Sequence, residues 1–224
     1  MALSHSPRIV TDGLVLCLDA ANPKSYPGSG TAWNDLSDRG NNLTLQNTPT
    51  FGSSPSSFLF NGSTQSATRT GTLNGIANYN NFSVVVAFRT STRKDFMALV
   101  GDDVHTVNYV GFTTEINAGS VTMWSNGSVL NTTEKYDDGN WHIMTCTMRT
   151  GSNNCTLWVD GVARITGTLP TPNTVNTSFM VAQWGGPSAY FYAGNIAFVQ
   201  IYNRTLEGAE ILQNYNALRG RFGL

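Results

Sequence analysis

The side chains able to do chemistry are few and far apart. The chain carries three histidines (His5, His105, His142), three cysteines (Cys17, Cys146, Cys155) and four glutamates (Glu115, Glu134, Glu207, Glu210). His142 follows Trp141, and an imidazole there could act as a base or a metal ligand. No metal-ligand spacing links it to His5 or His105, so a structural place at a hairpin start is the favoured reading. No G-x-S-x-G elbow, phosphate-binding loop or Cys/His catalytic set occurs. The adjacent carboxylates Asp102-Asp103 and Asp137-Asp138 fall in expected loops, where nearby carbonyls could complete a Ca²⁺ site. Of the two pairs, Asp102 and Asp103 are the metal candidate, against the competing reading of solvated turn residues. No other cofactor is expected.

Aromatic rings are the second chemical resource, because Trp and Tyr bind sugars by stacking on the apolar face of the ring. Trp124, Trp184, Tyr190 and Tyr192 are the candidate stacking residues, with Asn126, Gln183 and Ser188 as hydrogen-bonding neighbours. Trp33 and Tyr26 form a second set. The competing reading is that a large sandwich uses such rings to fill its core.

The elements that must position these residues read as strands. Charged residues are only 12% of the 224-residue chain, and Asn, Ser, Thr and Gly supply the polarity instead. That mixture suits short strands and tight turns better than charged helices. Apolar alternation marks strands at 14–19, 43–45, 58–60, 82–90, 96–100, 107–116, 121–124 and 129–132, with a long loop over 22–42. Met144, Cys146 and Met148 alternate opposite Cys155, Leu157 and Val159, with a turn at Gly151-Ser152-Asn153. That register sets Cys146 against Leu157 and Cys155 against Met148, a diagonal relation ill suited to a disulfide, so all three cysteines read as buried thiols. Strands at 179–184 and 190–202 follow. Only 208–218 reads as a helix, with Ile211, Leu212, Tyr215 and Leu218 on one face, Glu207 as cap and Glu210 in the first turn. The expected fold is all-β: a two-sheet antiparallel jelly-roll sandwich over 13–224 with a short C-terminal helix, preceded by an arm over 1–12.

The net charge of −1 and just three lysines argue against nucleic acid as a partner. No apolar stretch is long enough to span a membrane, and no secretory signal is read at the start, so synthesis in a cytosol is expected.

Two segments carry a resemblance. Asp138-Gly139-Asn140-Trp141-His142, followed by Leu157-Trp158-Val159-Asp160-Gly161, resembles a hairpin of the laminin-G-like branch of the concanavalin A-like superfamily. The stretch YAGNIAFVQIYNRTLEGAEILQNYN is similar to that branch's last strand and helix. The opening GLVLCLDA with Trp33-Asn34-Asp35-Leu36-Ser37, and the close NYNALRGRFGL, resemble lectin-like proteins of tailed bacteriophages. The resemblance implies a non-catalytic virion structural protein, such as a head decoration, fibre or tail appendage, made in the host bacterial cytoplasm. Its implied partners are other virion proteins, copies of itself and host cell-surface polysaccharide. A free lectin with a Ca²⁺-assisted loop site is the alternative. Glycosidases of the superfamily carry an E-x-D-x-x-E strand, but none of the four glutamates here has an aspartate two residues on, which makes a hydrolase the weakest reading.

Overall fold

A computed structural model describes residues 8–102, 112–172, 178–185 and 190–224. Among them the strands are β1 (Leu14–Asp19), β2 (Ala32–Trp33), β3 (Leu43–Gln46), β4 (Thr50–Ser53), β5 (Ser56–Asn61), β6 (Ser66–Thr70), β7 (Phe82–Arg89) and β8 (Met97–Asp102). They continue as β9 (Phe112–Asn117), β10 (Ser120–Ser125), β11 (Ser128–Asn131), β12 (Trp141–Met148), β13 (Cys155–Val159), β14 (Val162–Gly167), β15 (Ser178–Val181) and β16 (Ala193–Tyr202). A helix, α1 (Gly208–Leu218), and a single 3₁₀ turn (Arg219–Arg221) end the chain. The strands form two antiparallel sheets. The first runs β14-β13-β12-β7-β16-β5-β4, with β1 also paired to β16; the second runs β11-β10-β9-β8-β15-β6-β3-β2.

The expected all-β sandwich with one short terminal helix is therefore what forms. The inner faces interdigitate in one core that includes Phe82, Val84, Val86 and Phe88 of β7, Phe112 and Ile116 of β9, and Val121 and Met123 of β10. Val85 and Ala87 point the other way, into a second cluster with Ile143, Phe198, Ile211, Leu218 and Phe222. The helix and tail thus roof the outer face of the first sheet. A strand covered on both faces has no polar side to show, which is why FSVVVAFR reads as an unbroken apolar run.

The roof is fixed by polar contacts at the start and in the middle of the helix. Arg204 grips Glu210 through two bonds of 2.8 and 2.6 Å, and the Glu207 N–H donates to Glu210 Oε2 at 2.9 Å. Asn214 takes the buried helix position that the periodicity assigns to Leu212, which is 49% exposed. Burying an amide works here because it is satisfied: it accepts from the Val10 N–H at 2.8 Å and donates to the Tyr202 hydroxyl at 3.1 Å. The Tyr202 hydroxyl donates to the Val10 carbonyl at 2.9 Å, so the end of the expected arm is pinned beneath the helix.

Four strands have no counterpart in the sequence reading. β2 is two residues long and lies inside the expected 22–42 loop, β4 and β6 are mostly polar, and β14 is a mostly exposed strand; β4 and β14 sit at sheet edges. The hairpin register agrees with the spacing: Cys146 faces Leu157 and Cys155 faces Met148. All three cysteines are buried free thiols, with the Cys146 and Cys155 sulfurs 3.9 Å apart. Burial pushes the Cys17 thiol up to about 12.

Hydrogen bonding from Arg204 holds the Glu210 carboxyl down to about 2. A carboxyl depressed from an unfolded value of about 4.5 contributes stability that is complete above 4.5 and is lost as pH falls towards 2. Glu210→Ala is expected to cost about 1–2 kcal/mol in urea unfolding at pH 7. Most of that cost should be gone at pH 2; an equal cost at both pH values would contradict the clamp.

Candidate functional site

β9 is the middle of a three-strand register that builds a ledge on the outside of the second sheet. Thr113 and Glu115 point outward, since Phe112 and Ile116 face the core. Across the ladder Trp124 stands opposite Thr113 and Thr122 opposite Glu115; on the other side Gly101 faces Thr113 and Ala98 faces Glu115. Gly101 is required where it stands. A Cβ there would lie 2.6 Å from Trp184 Cδ1, so the absence of a side chain lets the indole lie against the strand.

Four aromatic rings follow one another across this ledge. Trp124 and Trp184 have centroids 4.8 Å apart, Trp184 stacks on Tyr190 at 5.6 Å and 25°, and Tyr190 meets Phe96 edge-on at 5.3 Å. Phe96 is 44% exposed, Trp124 and Tyr190 are half-buried, and Trp184 is buried. Phe96 and Tyr190 have φ of +56° and +58°, a region that costs a bulky L-residue about 1 kcal/mol or more. Two strained aromatics side by side on a surface mark a place where ring position outranks backbone comfort. The Ala98 N–H donates to the Tyr190 carbonyl at 3.2 Å and helps hold that bend.

The sequence candidates separate in three ways. Trp124, Trp184 and Tyr190 come together in the strip, and Gln183 adjoins it in the chain as a buried residue. Asn126 and Gly127 form the two-residue turn between β10 and β11 with φ of +45° and +82°, and the Asn126 amide donates to the Thr171 carbonyl at 3.0 Å. Tyr192 is corrected: it is fully buried in the sandwich core, and its hydroxyl donates to the Arg89 carbonyl at 3.0 Å, so it offers no face to a ligand. Trp33 and Tyr26 are core residues too, both packed on Phe58. Asp103 and Ser188 lie outside the described residues, and Asp102 is the last residue of β8. Among the described residues no group of three or more His, Cys, Asp or Glu side chains is placed to share a metal ion. The strip member missed from sequence is Phe96, because the apolar run 96–100 reads as a strand start; β8 begins one residue later, after the bend.

His142 and the second aspartate pair are framework. His142 Nδ1 lies 2.8 Å from Asp160 and Nε2 3.2 Å from Asp138, while Asp137 makes a two-point pair with Arg93 at 2.5 and 2.9 Å. Burial works against a charge on the His142 ring, but its bonds to Asp160 and then Asp138 outweigh burial and raise its pKa.

A laminin-G-type model of the concanavalin A-like lectin/glucanases superfamily matches residues 61–212, more than half of the chain. The chain belongs to the concanavalin A-like lectin/glucanase superfamily. No curated protein matches its sequence. Among solved structures it is similar to the binding domain of botulinum neurotoxin DC in complex with rat synaptotagmin II (TM-score 0.68, 15% identity, 93% of this chain and 52% of that one). It is also similar to the binding domain of botulinum neurotoxin serotype D/C (TM-score 0.69, 14% identity, 93% and 53%). A third is a botulinum neurotoxin type C structure whose cell entry is described as dependent on two ganglioside molecules (TM-score 0.68, 14% identity, 93% and 52%). The chain spans about half the length of these structures, and at such identity the likeness is one of fold.

One group on the ledge of this superfamily member is out of keeping with its surroundings. Glu115 is 2% exposed, its Oε1 has no hydrogen-bond partner, and burial pushes its carboxyl up to about 7. Between pH 4.5 and 7 the folded chain keeps this proton while the unfolded chain releases it, so stability falls across that window and the penalty is complete above 7. Glu115→Gln is expected to stabilise the protein by about 2–3 kcal/mol at pH 8 and to leave it unchanged at pH 4. Urea unfolding at the two pH values measures both, and destabilisation at pH 8 would show that the carboxylate has a partner.

Proposed function

We propose that the chain is a non-catalytic carbohydrate-binding module that holds a glycan against the strip Phe96, Tyr190, Trp184 and Trp124, with Gln183 and Asn126 at its border. The observation that carries this reading is the unbroken run of rings on a sheet face outside the core, part of it at positive φ. Phe96, Tyr190 and Trp124, the partly exposed rings of the run, give sugar residues apolar faces to lie on, with the buried Trp184 packed between them. The superfamily is lectin-like, and toxin domains of this fold serve as receptor-binding units, which agrees with a binding role.

The same ledge argues against hydrolysis. Glycoside cleavage needs two carboxyl groups on either side of the bond, about 5–9.5 Å apart. Among the described residues of the rows around the strip, Glu115 is accompanied by Ala98, Thr122, Thr113, Gly101 and Trp124, none of which carries a second carboxyl.

For the setting, we infer a tailed-bacteriophage particle, as a head decoration, fibre or tail appendage, associated with other virion proteins and with copies of itself. It would be made in the host cytoplasm and would present the strip to host cell-surface polysaccharide. Support for this comes from the resemblance of the opening and closing segments.

Glycan-array binding of the purified chain tests the site. Trp124→Ala and Tyr190→Ala, each with a thermal melt close to that of the parent, are expected to weaken binding tenfold or more, about 1.4 kcal/mol. Undiminished binding by both variants would overturn the strip, and turnover of any bound polysaccharide would overturn the non-catalytic reading.

A further inference from the structure

The opposite side of the molecule carries a polar trough that the strip does not use. Helix α1 and the tail roof the middle of the first sheet but leave one end of its strands open. There, outward-facing residues line up in a single registered row across β4, β5, β16, β7 and β12: Thr50 opposite Leu59, Leu59 opposite Asn195, Asn195 opposite Arg89, and Arg89 opposite Trp141. A cavity of about 540 Å³ lies over the row, lined by Leu59, Asn61, Gln65, Arg89, Thr90 and Asn195 among others. A second cavity of about 370 Å³ shares Arg89 and Gly139 with it and continues over Asn140 and Trp141 to Leu224.

Arg89 is the chemical centre of this trough. Its Nη2 donates to Asn195 Oδ1 at 3.2 Å, and its guanidinium carbon sits 5.5 Å over the Trp141 ring. Trp141 is in turn backed by Phe222 at 4.8 Å. Stacking and one hydrogen bond fix the plane of the guanidinium while using one of its five N–H donors. Among the described residues, the arginines in ion pairs are Arg93, Arg164, Arg204 and Arg221; Arg89 is not one of them. No acidic side chain lines either cavity. Lys94 adds a further cation at the rim, where its Nζ donates to the Gly62 carbonyl at 3.2 Å.

An exposed arginine held flat, with open donors and no ion pair among the described residues, can receive a planar anion, and a carboxylate matches its fork in two bonds. The remaining lining is amide and hydroxyl, suited to ring hydroxyls, with Leu59, 46% exposed, as an apolar step. The geometry points to a second glycan site, one that takes a carboxylate-bearing sugar of an acidic polysaccharide, with the sugar carboxylate on Arg89 and its hydroxyls on Asn195, Asn61 and the exposed Thr92. It lies on a different sheet from the aromatic strip and stands or falls separately from it.

Calorimetric titration of the full chain with polygalacturonate, alginate, hyaluronate and polysialic acid tests this, beside methyl-esterified pectin, dextran sulfate and polyglutamate. At least one of the four carboxylate polysaccharides is expected to bind. Arg89→Gln should weaken that binding tenfold or more. Asn195→Asp, which sets a carboxylate against Arg89 without removing the stacked guanidinium, should do the same, whereas Trp124→Ala should leave it unchanged. Binding to none of the four overturns the site, as does equal binding by both trough variants with parental melting temperatures. Methyl-esterified pectin bound as tightly as polygalacturonate removes the carboxylate from the recognition. Tighter binding of dextran sulfate or of polyglutamate assigns the trough to sulfate esters or to acidic peptide instead, and overturns the proposal.

Discussion

Strands β7, β12 and β16 send apolar side chains in both directions, so the first sheet has to be covered twice. The second sheet supplies one cover, and helix α1 with the tail supplies the other. That requirement organises the rest of the molecule. It explains why a chain otherwise made of strands ends in a helix, and why Arg204, Glu210 and Asn214 spend their hydrogen bonds fastening that helix down. It also decides where a ligand can reach a sheet. Under the roof the first sheet is closed; among the described residues, its open end carries the exposed Arg89 and Leu59, and the outer face of the second sheet carries the half-buried Trp124 and Tyr190 beside the exposed Phe96. The two sites proposed for glycans occupy those two places.

With so few charges, the polar groups take on separate duties. His142 between Asp138 and Asp160, and Asp137 against Arg93, join the hairpin start to its neighbours. Their partners lie within the fold, which leaves them little capacity for a substrate. Glu115 and Arg89 stand differently, one a carboxyl buried without a partner on Oε1, the other an exposed guanidinium stacked on Trp141 and outside the ion pairs of the described residues. Each lies on the outward face of a different sheet.

Most of the architecture was legible because period-2 patterns are strong where one face is buried and runs are unbroken where both are. The helix was readable at both ends, since Glu207 and Glu210 mark its start and Arg219-Gly220 follows its close. What escaped were edge elements too exposed or too short to show a period: β14, whose residues lie mostly on the surface, and the two-residue β2. Helical periodicity placed Leu212 inward, but the position that turns inward is held by Asn214, whose burial depends on Val10 and Tyr202, about 200 and 12 residues distant in the chain. For the site, composition pointed to Trp124, Trp184 and Tyr190 without showing that they touch, and it could not separate them from Tyr192, whose fate depends on strand parity near β16. Arg89 gave no signal at all, because its significance lies in cross-strand neighbours from four other strands.

Sugars are proposed to bind at the aromatic strip and at the Arg89 trough, and not at the roofed middle of the first sheet. The five tryptophans report on this placement together, since each contributes one indole N–H signal: Trp33 in the core, Trp158 under the helix, Trp124 and Trp184 in the strip, and Trp141 beside Arg89. An NMR titration of the ¹⁵N-labelled chain with neutral and then carboxylate-bearing oligosaccharides reads all five at once. Trp124 and Trp184 are expected to move with the neutral sugars and Trp141 with the acidic ones, while Trp33 and Trp158 stay in place. Shifts at Trp158 with the strip and trough indoles unmoved would contradict that placement.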